Sequence, residues 1–250
     1  MKIRLLFIIL LATSYTFGQR NLKDEAIGTP MVGIHYTAVF PTMDLAKRYG
    51  YTNQIGLTAG YKTKKNWVYG VEGNFNFGNS IRVEGLFDHL VDDKGFITEV
   101  GGGQAVVELF QRGFNVNAHA GKIFPWFGPN PNSGLYVSLG AGYTLSKIRI
   151  ETTYDVVPMI ETENKRGYDR QAVGLSLHQF VGYSHLSTRG IIHFYVGFYA
   201  NQGFTKYSRS YFYDTGAPSY QGILYDFQLG IRGGWYIPIY KRKAKSVYFN

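Results

Sequence analysis

The chain has 250 residues, no cysteine and a formal net charge of +9 at pH 7. Without cysteine it can form neither disulfides nor thiolate metal sites, and it has neither a catalytic cysteine nor the lipid-anchoring cysteine of a lipoprotein. Its positive charge is scattered over turns, loops and the C-terminal tail, so we expect contact with anionic lipid headgroups and no nucleic-acid binding.

The aromatic and glycine content is typical of a membrane β-barrel. The chain contains 31 Gly, 21 Tyr and 18 Phe with only 17% charged residues, a combination that is uncommon in soluble domains. Its mean hydropathy of −0.15 is nevertheless slightly negative. Alternation of polar and apolar residues around a closed sheet produces this result.

The N-terminal residues predict export. Lys2 and Arg4 precede a short apolar run that ends in small residues, which is the pattern of a secretory signal peptide cleaved near Gly18. The run is too short for a membrane-spanning helix, and no later stretch reaches the roughly 20 apolar residues that such a helix needs. We therefore expect a signal peptide at residues 1–18 and a single outer-membrane barrel domain at residues 19–250.

Eight later segments alternate between apolar and polar residues with a period of two. Each has about ten residues of alternation, the length that a tilted strand needs to cross an outer membrane. An even count is typical of bacterial barrels. The fold class expected is therefore all-β, a transmembrane antiparallel up-and-down β-barrel of eight strands. The predicted strands cover residues 31–41, 52–62, 67–77, 114–124, 135–145, 171–186, 192–199 and 220–240.

The lengths of the connections predict the orientation. Outer-membrane barrels have short periplasmic turns and longer external loops. With both the N- and C-termini in the periplasm, the connections after the second, fourth and sixth strands are periplasmic turns. Residues 78–113 are then read as one long external loop, because a separate strand there would place the long 151–170 connection in the periplasm.

Aromatic residues concentrate near the predicted strand ends, as in the two interfacial girdles of a membrane barrel. A soluble β-sandwich, the main structural alternative, would need a core on both faces of each sheet to bury them. The girdle candidates are Tyr61, Trp67, Tyr69, Tyr183 and Trp235 toward the periplasm and Phe40, Phe75, Phe77, Phe114, Tyr143 and Tyr225 toward the exterior.

Three stretches carry a family resemblance: NPNSGLYVSLGAGY at residues 130–143, KRGYDR at 165–170 and GFTK at 203–206. The chain resembles small outer-membrane barrels of the Bacteroidota, and its architecture is similar to that of OmpA and OmpX. The resemblance implies a fold and a membrane, and it implies no reaction. One departure is that many such proteins end on an aromatic residue of the last strand, whereas this chain continues into a basic tail at residues 241–250.

The strand phases direct several polar residues into the lumen. Glu72 and Arg232 lie at similar heights, so we expect them to pair, with Asp226 higher in the same ionic network. Buried charges of this kind must be paired, and a network that fills the lumen is the simplest role; a gated ion or proton path is the alternative. The other lumen residues predicted are His35, Asn74, His119, His178 and His193.

The lumen residues suggest two kinds of chemistry. Four inward histidines suggest a metal site, but they differ in height and have no recognised ligand spacing, so no metal and no cofactor are expected. Ser176 and His178 face the same way, as in lipid A acylases and deacylases that use a serine nucleophile with a histidine. No carboxylate is assigned to orient the histidine, so the chain is not expected to be an enzyme.

The loop after the seventh strand is rich in tyrosine and arginine. This composition is typical of recognition surfaces, and equally of girdle residues that stiffen a hairpin. The candidate recognition residues are Tyr207, Arg209, Tyr211, Phe212 and Tyr213.

The expected function is that of a structural or interaction protein, or an accessory subunit of an outer-membrane assembly, with a largely filled lumen. Its expected partners are outer-membrane lipid and lipopolysaccharide, and other outer-membrane proteins contacted through the loops or the barrel wall. The alternatives are a narrow channel for small solutes and a lipid-modifying barrel enzyme.

Overall fold

The computed structural model describes residues 25–152, 156–161, 163–187 and 192–239. Eight antiparallel strands close into a barrel in which each pairs with its neighbours along the chain and the first, Thr29–Thr42, pairs with the last, Leu224–Pro238, so no edge is left open. The predicted eight-stranded up-and-down barrel is confirmed. The barrel strands are β1 (Thr29–Thr42), β2 (Thr52–Lys62), β3 (Trp67–Gly78), β4 (Val107–Phe124), β5 (Gly134–Thr152), β6 (Ala172–Leu186), β7 (His193–Tyr207) and β10 (Leu224–Pro238).

The short elements all lie in the connections. A six-residue helix follows β1, and two-residue strands β8 and β9 pair with each other after β7. None of the helices in the described residues is long and apolar enough to cross a membrane. These elements are α1 (Met43–Arg48), β8 (Tyr211–Phe212), β9 (Ala217–Pro218) and the 3₁₀ turns Asp88–Leu90, Pro158–Ile160 and Asn164–Gly167.

The polarity of the wall is that of a membrane barrel. Along β1, the apolar Ile34 and Tyr36 are exposed on the outside, whereas His35 and Thr37 are buried inside. The same alternation follows every barrel strand, so apolar side chains cover the exterior and polar side chains fill the interior. A wall of this kind suits lipid outside and a packed polar lumen inside.

Glycine allows the narrow barrel to close where inward positions of neighbouring strands meet. Gly182 of β6 lies opposite Gly197 of β7. A Cβ atom on Gly197 would lie 2.4 Å from the Cα of Gly182, far inside van der Waals contact. Any larger residue at this position would push the two strands apart.

Several strand bounds differ from the prediction. The expectation of a single loop over residues 78–113 is wrong for residues 107–113, which continue β4 and pair with residues 146–152 of an equally extended β5. Because they extend β4 rather than form a separate strand, the up-and-down parity is kept. Strand β7 likewise continues beyond residue 199 to Tyr207, and β10 begins at Leu224 rather than at residue 220.

The start of β1 and the end of β10 lie at the same end of the barrel, since Met31 pairs with Pro238. We call this the turn end and the opposite end the loop end. That the turn end is periplasmic stays a prediction. The signal peptide, most of the turn after β6 and the basic tail lie outside the described residues.

The connections at the loop end fold into a compact cap. The cap consists of α1 with residues 49–51, the loop 79–106, the β4–β5 extension and the described residues of 156–171 and 208–223. It has its own apolar core, separate from the barrel lumen. The buried members of this core are Leu45, Tyr49, Leu86, Ala105, Ile148, Ile150, Val157, Ile160 and Tyr168.

The cap core generates a first prediction. Ile148 is 1% exposed in this core, and truncating a buried isoleucine to alanine costs roughly 2–5 kcal/mol. We expect Ile148→Ala to accelerate limited proteolysis within residues 79–106 while the barrel itself stays resistant, because cleavage follows the population of opened cap. Phe127→Ala, at a residue that is 98% exposed in a turn-end connection, is the control and should leave the rate unchanged. Equal rates for Ile148→Ala and wild type would show that the core does not hold the cap together.

Candidate functional site in the barrel lumen

The centre of the lumen contains a buried ion pair. Glu72 on β3 and Arg232 on β10 face each other, with Arg232 Nη1 donating to Glu72 Oε2 over 2.8 Å and side-chain exposures of only 2–3%. The other guanidinium nitrogens are also bound: Nε donates to Thr37 and Nη2 to Gln54, at 2.9 and 2.8 Å. The Tyr199 ring covers the guanidinium face at 3.9 Å. The structure therefore brings together the two charges expected to pair.

Amide side chains complete the shell around Glu72. Its Oε1 accepts hydrogen bonds from Asn74 Nδ2 at 2.9 Å and Asn117 Nδ2 at 3.2 Å. A buried charge is tolerated when its partner is close and its remaining lone pairs are bound. With two amide donors and one guanidinium, Glu72 meets this condition.

Three of the four predicted lumen histidines surround this pair. His35 Nε2 lies 2.5 Å from Asn74 Oδ1, and His178 Nδ1 lies 3.5 Å from Glu72 Oε1. The rings of His119 and His178 are 5.9 Å apart. His193 is also buried, but it lies at the turn end, where its Nδ1 accepts the backbone N–H of Ser187. No group of three or more His, Asp, Glu or Cys side chains suited to a metal ion occurs among the described residues.

The space left beside the ion pair is very small. A cavity of about 10 Å³ lies between Glu72, Arg232 and the neighbouring rings, which is about the minimum that one water molecule needs. Below it, toward the turn end, Tyr195 stacks on Tyr236 at 4.6 Å and Phe180 contacts Tyr195 edge-on at 5.5 Å. These rings form an aromatic layer that fills the barrel.

The turn end is closed by the residues that precede β1. The ammonium of Lys62, fully buried, donates to the carbonyl of Ile27 at 3.0 Å and to Asn132 Oδ1 at 2.8 Å. The side-chain amide of Asn132 also donates to the carbonyl of Glu25 at 2.9 Å, and its Oδ1 accepts the backbone N–H of Ile27. The β4–β5 connection thus holds the segment before β1 across the barrel mouth.

A second ion pair closes the loop end and corrects the predicted network. Asp226 does not join Glu72 and Arg232; it pairs with Arg48, the last residue of α1, and both side chains are 4% exposed. Thr205 donates to the other oxygen of Asp226 at 2.7 Å. Arg48 lies in a connection, where no strand period marks a residue as inward, so the sequence pattern does not predict this pair.

Helix α1 is held near both of its ends, by Arg48 and by Asp44. Asp44 accepts the backbone N–H of Tyr225 at 2.9 Å and a hydrogen bond from Lys47 at 2.7 Å. The bond from Lys47 is the main reason that the pKa of the Asp44 carboxyl is lowered from its ordinary value. The helix therefore lies across the mouth with its C-terminal arginine inserted between the strands.

A hydrogen-bonded layer of amides lies between the two ion pairs. Asn115 accepts from Thr144 Oγ1 at 2.6 Å and from Asn76 Nδ2 at 3.2 Å, and it donates to Gln228 at 3.3 Å. Gln54 Nε2 joins this layer to the central pair by donating to Asn76 at 2.8 Å. The polar side chains thus form a connected network from the central ion pair to Thr144 and Gln228.

The serine–histidine pair considered for catalysis is not assembled. Ser176 donates to Asn117 at 3.1 Å, and His178 faces Glu72. Both residues are at most 2% exposed, and no hydrogen bond joins them in the described part of the chain. Neither reaches the rim where a lipid substrate would lie.

The five loop candidates separate into two groups. Arg209 binds Asp169 with two hydrogen bonds of 2.6 and 3.1 Å, Phe212 is buried under the guanidinium of Arg170, and Tyr207 packs edge-on against Phe212. These three residues hold the cap together. The residues that present aromatic surface to solvent are Tyr211 and Tyr213, 43% and 48% exposed, together with Tyr220 at 63%.

By strand number, closure and wall polarity, the chain has the fold of a small eight-stranded membrane barrel. Solved structures with a similar fold include Ail, the attachment invasion locus protein of Yersinia pestis, in complex with the heparin analogue sucrose octasulfate. It shares 15% identity at a TM-score of 0.38, over 84% of this chain and 99% of that chain.

A second Ail structure shares 14% identity at a TM-score of 0.39, over 84% of this chain and 99% of that chain. The outer membrane protein OprG from Pseudomonas aeruginosa shares 10% identity at a TM-score of 0.35, over 87% of this chain and 99% of that chain. No protein-family model and no curated protein matches the chain. The likeness concerns the fold alone.

The central ion pair generates a second prediction. Glu72→Gln keeps the shape of the side chain but leaves Arg232 without a counter-charge, and breaking a buried pair in this way costs roughly 3–5 kcal/mol. We expect this loss in the free energy of unfolding, measured by urea titration of the refolded protein in phospholipid vesicles. The double variant Glu72→Gln/Arg232→Met should lose less than the sum of the two single variants, because it leaves no unpaired charge.

The matched control for these variants of the central ion pair is Glu151→Gln. Glu151 pairs with Arg149 on the outside of the extended hairpin, where the two side chains are 36% and 55% exposed. An exposed pair contributes at most about 1 kcal/mol. If Glu72→Gln cost no more than this control, the central pair would not organise the lumen.

Proposed function

We propose that this chain is an outer-membrane β-barrel with a closed lumen. Its role is either structural or to bind partners through its cap and outer wall. The main support is that the lumen is occupied at successive levels from one end to the other. The levels are the segment held by Lys62, the aromatic layer, the Glu72–Arg232 pair, the amide layer and the Arg48–Asp226 pair. Outer-membrane residence is supported by the apolar exterior and by the export signal expected at residues 1–18.

The arrangement of charges favours a plug over a conduction path. Charged side chains that line a channel face a continuous column of water, whereas Glu72, Asp226, Arg48 and Arg232 are each at most 4% exposed and bind protein partners. Beside the central pair there is space for about one water molecule. A solute would have to displace several layers in series, so the narrow-channel alternative has little support.

The cap is where a partner could be contacted. It is a folded surface with its own apolar core rather than a set of open loops. Exposed aromatic and apolar residues lie on it, including Tyr211, Tyr213 and Val100. Rigid aromatic side chains bind partners at a small entropic cost. This surface therefore supports an interaction role or the role of an accessory subunit, and we propose no catalytic activity.

The test is conductance of the full chain, refolded and inserted into a planar lipid bilayer. We expect no steady current from wild type. Glu72→Gln and Arg48→Met should also be silent, because each removes one level of closure and leaves the aromatic layer in place. A general porin refolded in the same way is the positive control. Steady wild-type openings would overturn the closed-lumen proposal and favour the narrow channel.

A further inference from the structure

A shallow apolar groove runs along the outer wall of the barrel across β4, β5, β6 and β7. Its volume of about 620 Å³ is within the range of about 300–1,000 Å³ typical of small-molecule sites. It lies where two outward alanines, Ala118 and Ala141, face each other across β4 and β5. Larger side chains surround these alanines: Val116, Tyr143, Leu175, Leu177 and Phe204.

Three cations stand above this groove, at the rim of the loop end. In the row of the wall directly above the groove, Phe114, Leu145, Val173 and Lys206 follow one another across the four strands. One outward step higher, Arg112 of β4 lies opposite Lys147 of β5. The strand rise of about 3.3 Å per residue places Arg112 roughly 13 Å along β4 from Val116 in the groove.

The Arg112–Lys147 juxtaposition is unfavourable on its own. Like charges directly opposite each other across an antiparallel pair are destabilising. Arg112 packs over the Phe110 ring and donates to the backbone carbonyl of Gln111. Among the described residues, neither Arg112 nor Lys147 nor Lys206 forms an ion pair with a carboxylate, whereas Arg149 higher on β5 is paired with Glu151. The cations nearest the groove therefore lack an anion.

We propose that this wall binds a phosphate-bearing membrane lipid. The phosphate lies between Arg112 and Lys147, and an acyl chain descends into the groove over Ala118 and Ala141. Cations at the rim of an apolar wall match the height of lipid headgroups. The alanines leave room that larger residues on the neighbouring strands do not. The inference rests on the proposed function only in requiring that the barrel span a membrane.

The test measures binding of dimyristoyl phosphatidic acid to the full refolded chain in detergent micelles, by native mass spectrometry across a lipid titration. Two further probes separate the parts of the site: dimyristoylglycerol carries the chains alone, and inorganic phosphate carries the anion alone. We expect saturable binding of one phosphatidic acid, and weaker binding of both partial probes.

Two variants test the two halves of the site. Arg112→Gln/Lys147→Gln should weaken phosphatidic acid binding roughly 30-fold, from the loss of two interfacial cations. Ala141→Phe should fill the groove and weaken the same binding without changing any charge. The matched control is Lys64→Gln/Lys65→Gln, which removes two exposed lysines from the turn after β2 and should have no effect.

Two results would overturn the proposal. The first is phosphatidic acid binding that the Arg112→Gln/Lys147→Gln variant leaves unchanged. The second is binding of either partial probe as tight as that of phosphatidic acid. With dimyristoylglycerol this would show nonspecific apolar binding, and with inorganic phosphate it would show a simple anion site. The β-sheet circular dichroism of each variant, recorded beside the titration, separates loss of the lipid site from loss of the barrel. Neither overturning result affects the closed lumen.

Discussion

The buried pair of Glu72 and Arg232 is the constraint on which the rest of the lumen depends. Two opposite charges inside a narrow barrel are tolerated only if they contact each other and if every remaining donor and acceptor is bound. Thr37, Gln54 and Asn74 are therefore placed on neighbouring strands at the same height. Once these positions are taken, the space that is left holds about one water molecule, and the centre of the barrel is a packed core.

The same constraint recurs at the loop end and connects the barrel to its cap. Asp226 faces inward near the mouth, and a carboxylate there needs a cation that no barrel strand provides at that height. Helix α1 supplies it through Arg48. The helix also contributes Leu45 to the apolar core of the cap, so the ion pair and the cap are parts of one closure. What the molecule presents to its surroundings is consequently the cap and the outer wall.

Periodic features of this structure could be predicted from the sequence, and non-periodic ones could not. Alternation with a period of two identifies eight strands and places Glu72 and Arg232 in the lumen, because each strand residue must face one side or the other. Arg48 lies in a short helix within a connection, where no period applies. Residues 107–113 do alternate, but the parity of the connections excludes only a separate strand there and does not distinguish a loop from a continuation of β4 beyond the membrane. The packing of Arg209 and Phe212 inside the cap depends on contacts between distant loops.

The most direct test of the closed lumen uses the absence of native cysteine. Ser138→Cys places a thiol beside the central pair at a position that is 2% exposed, and Lys64→Cys places one in an exposed turn. With the protein in lipid vesicles, a small water-soluble thiol reagent should modify the cysteine at position 64 and leave that at position 138 unmodified until urea unfolds the barrel. Modification of both at similar rates in the folded protein would show that water fills the lumen and would contradict the account.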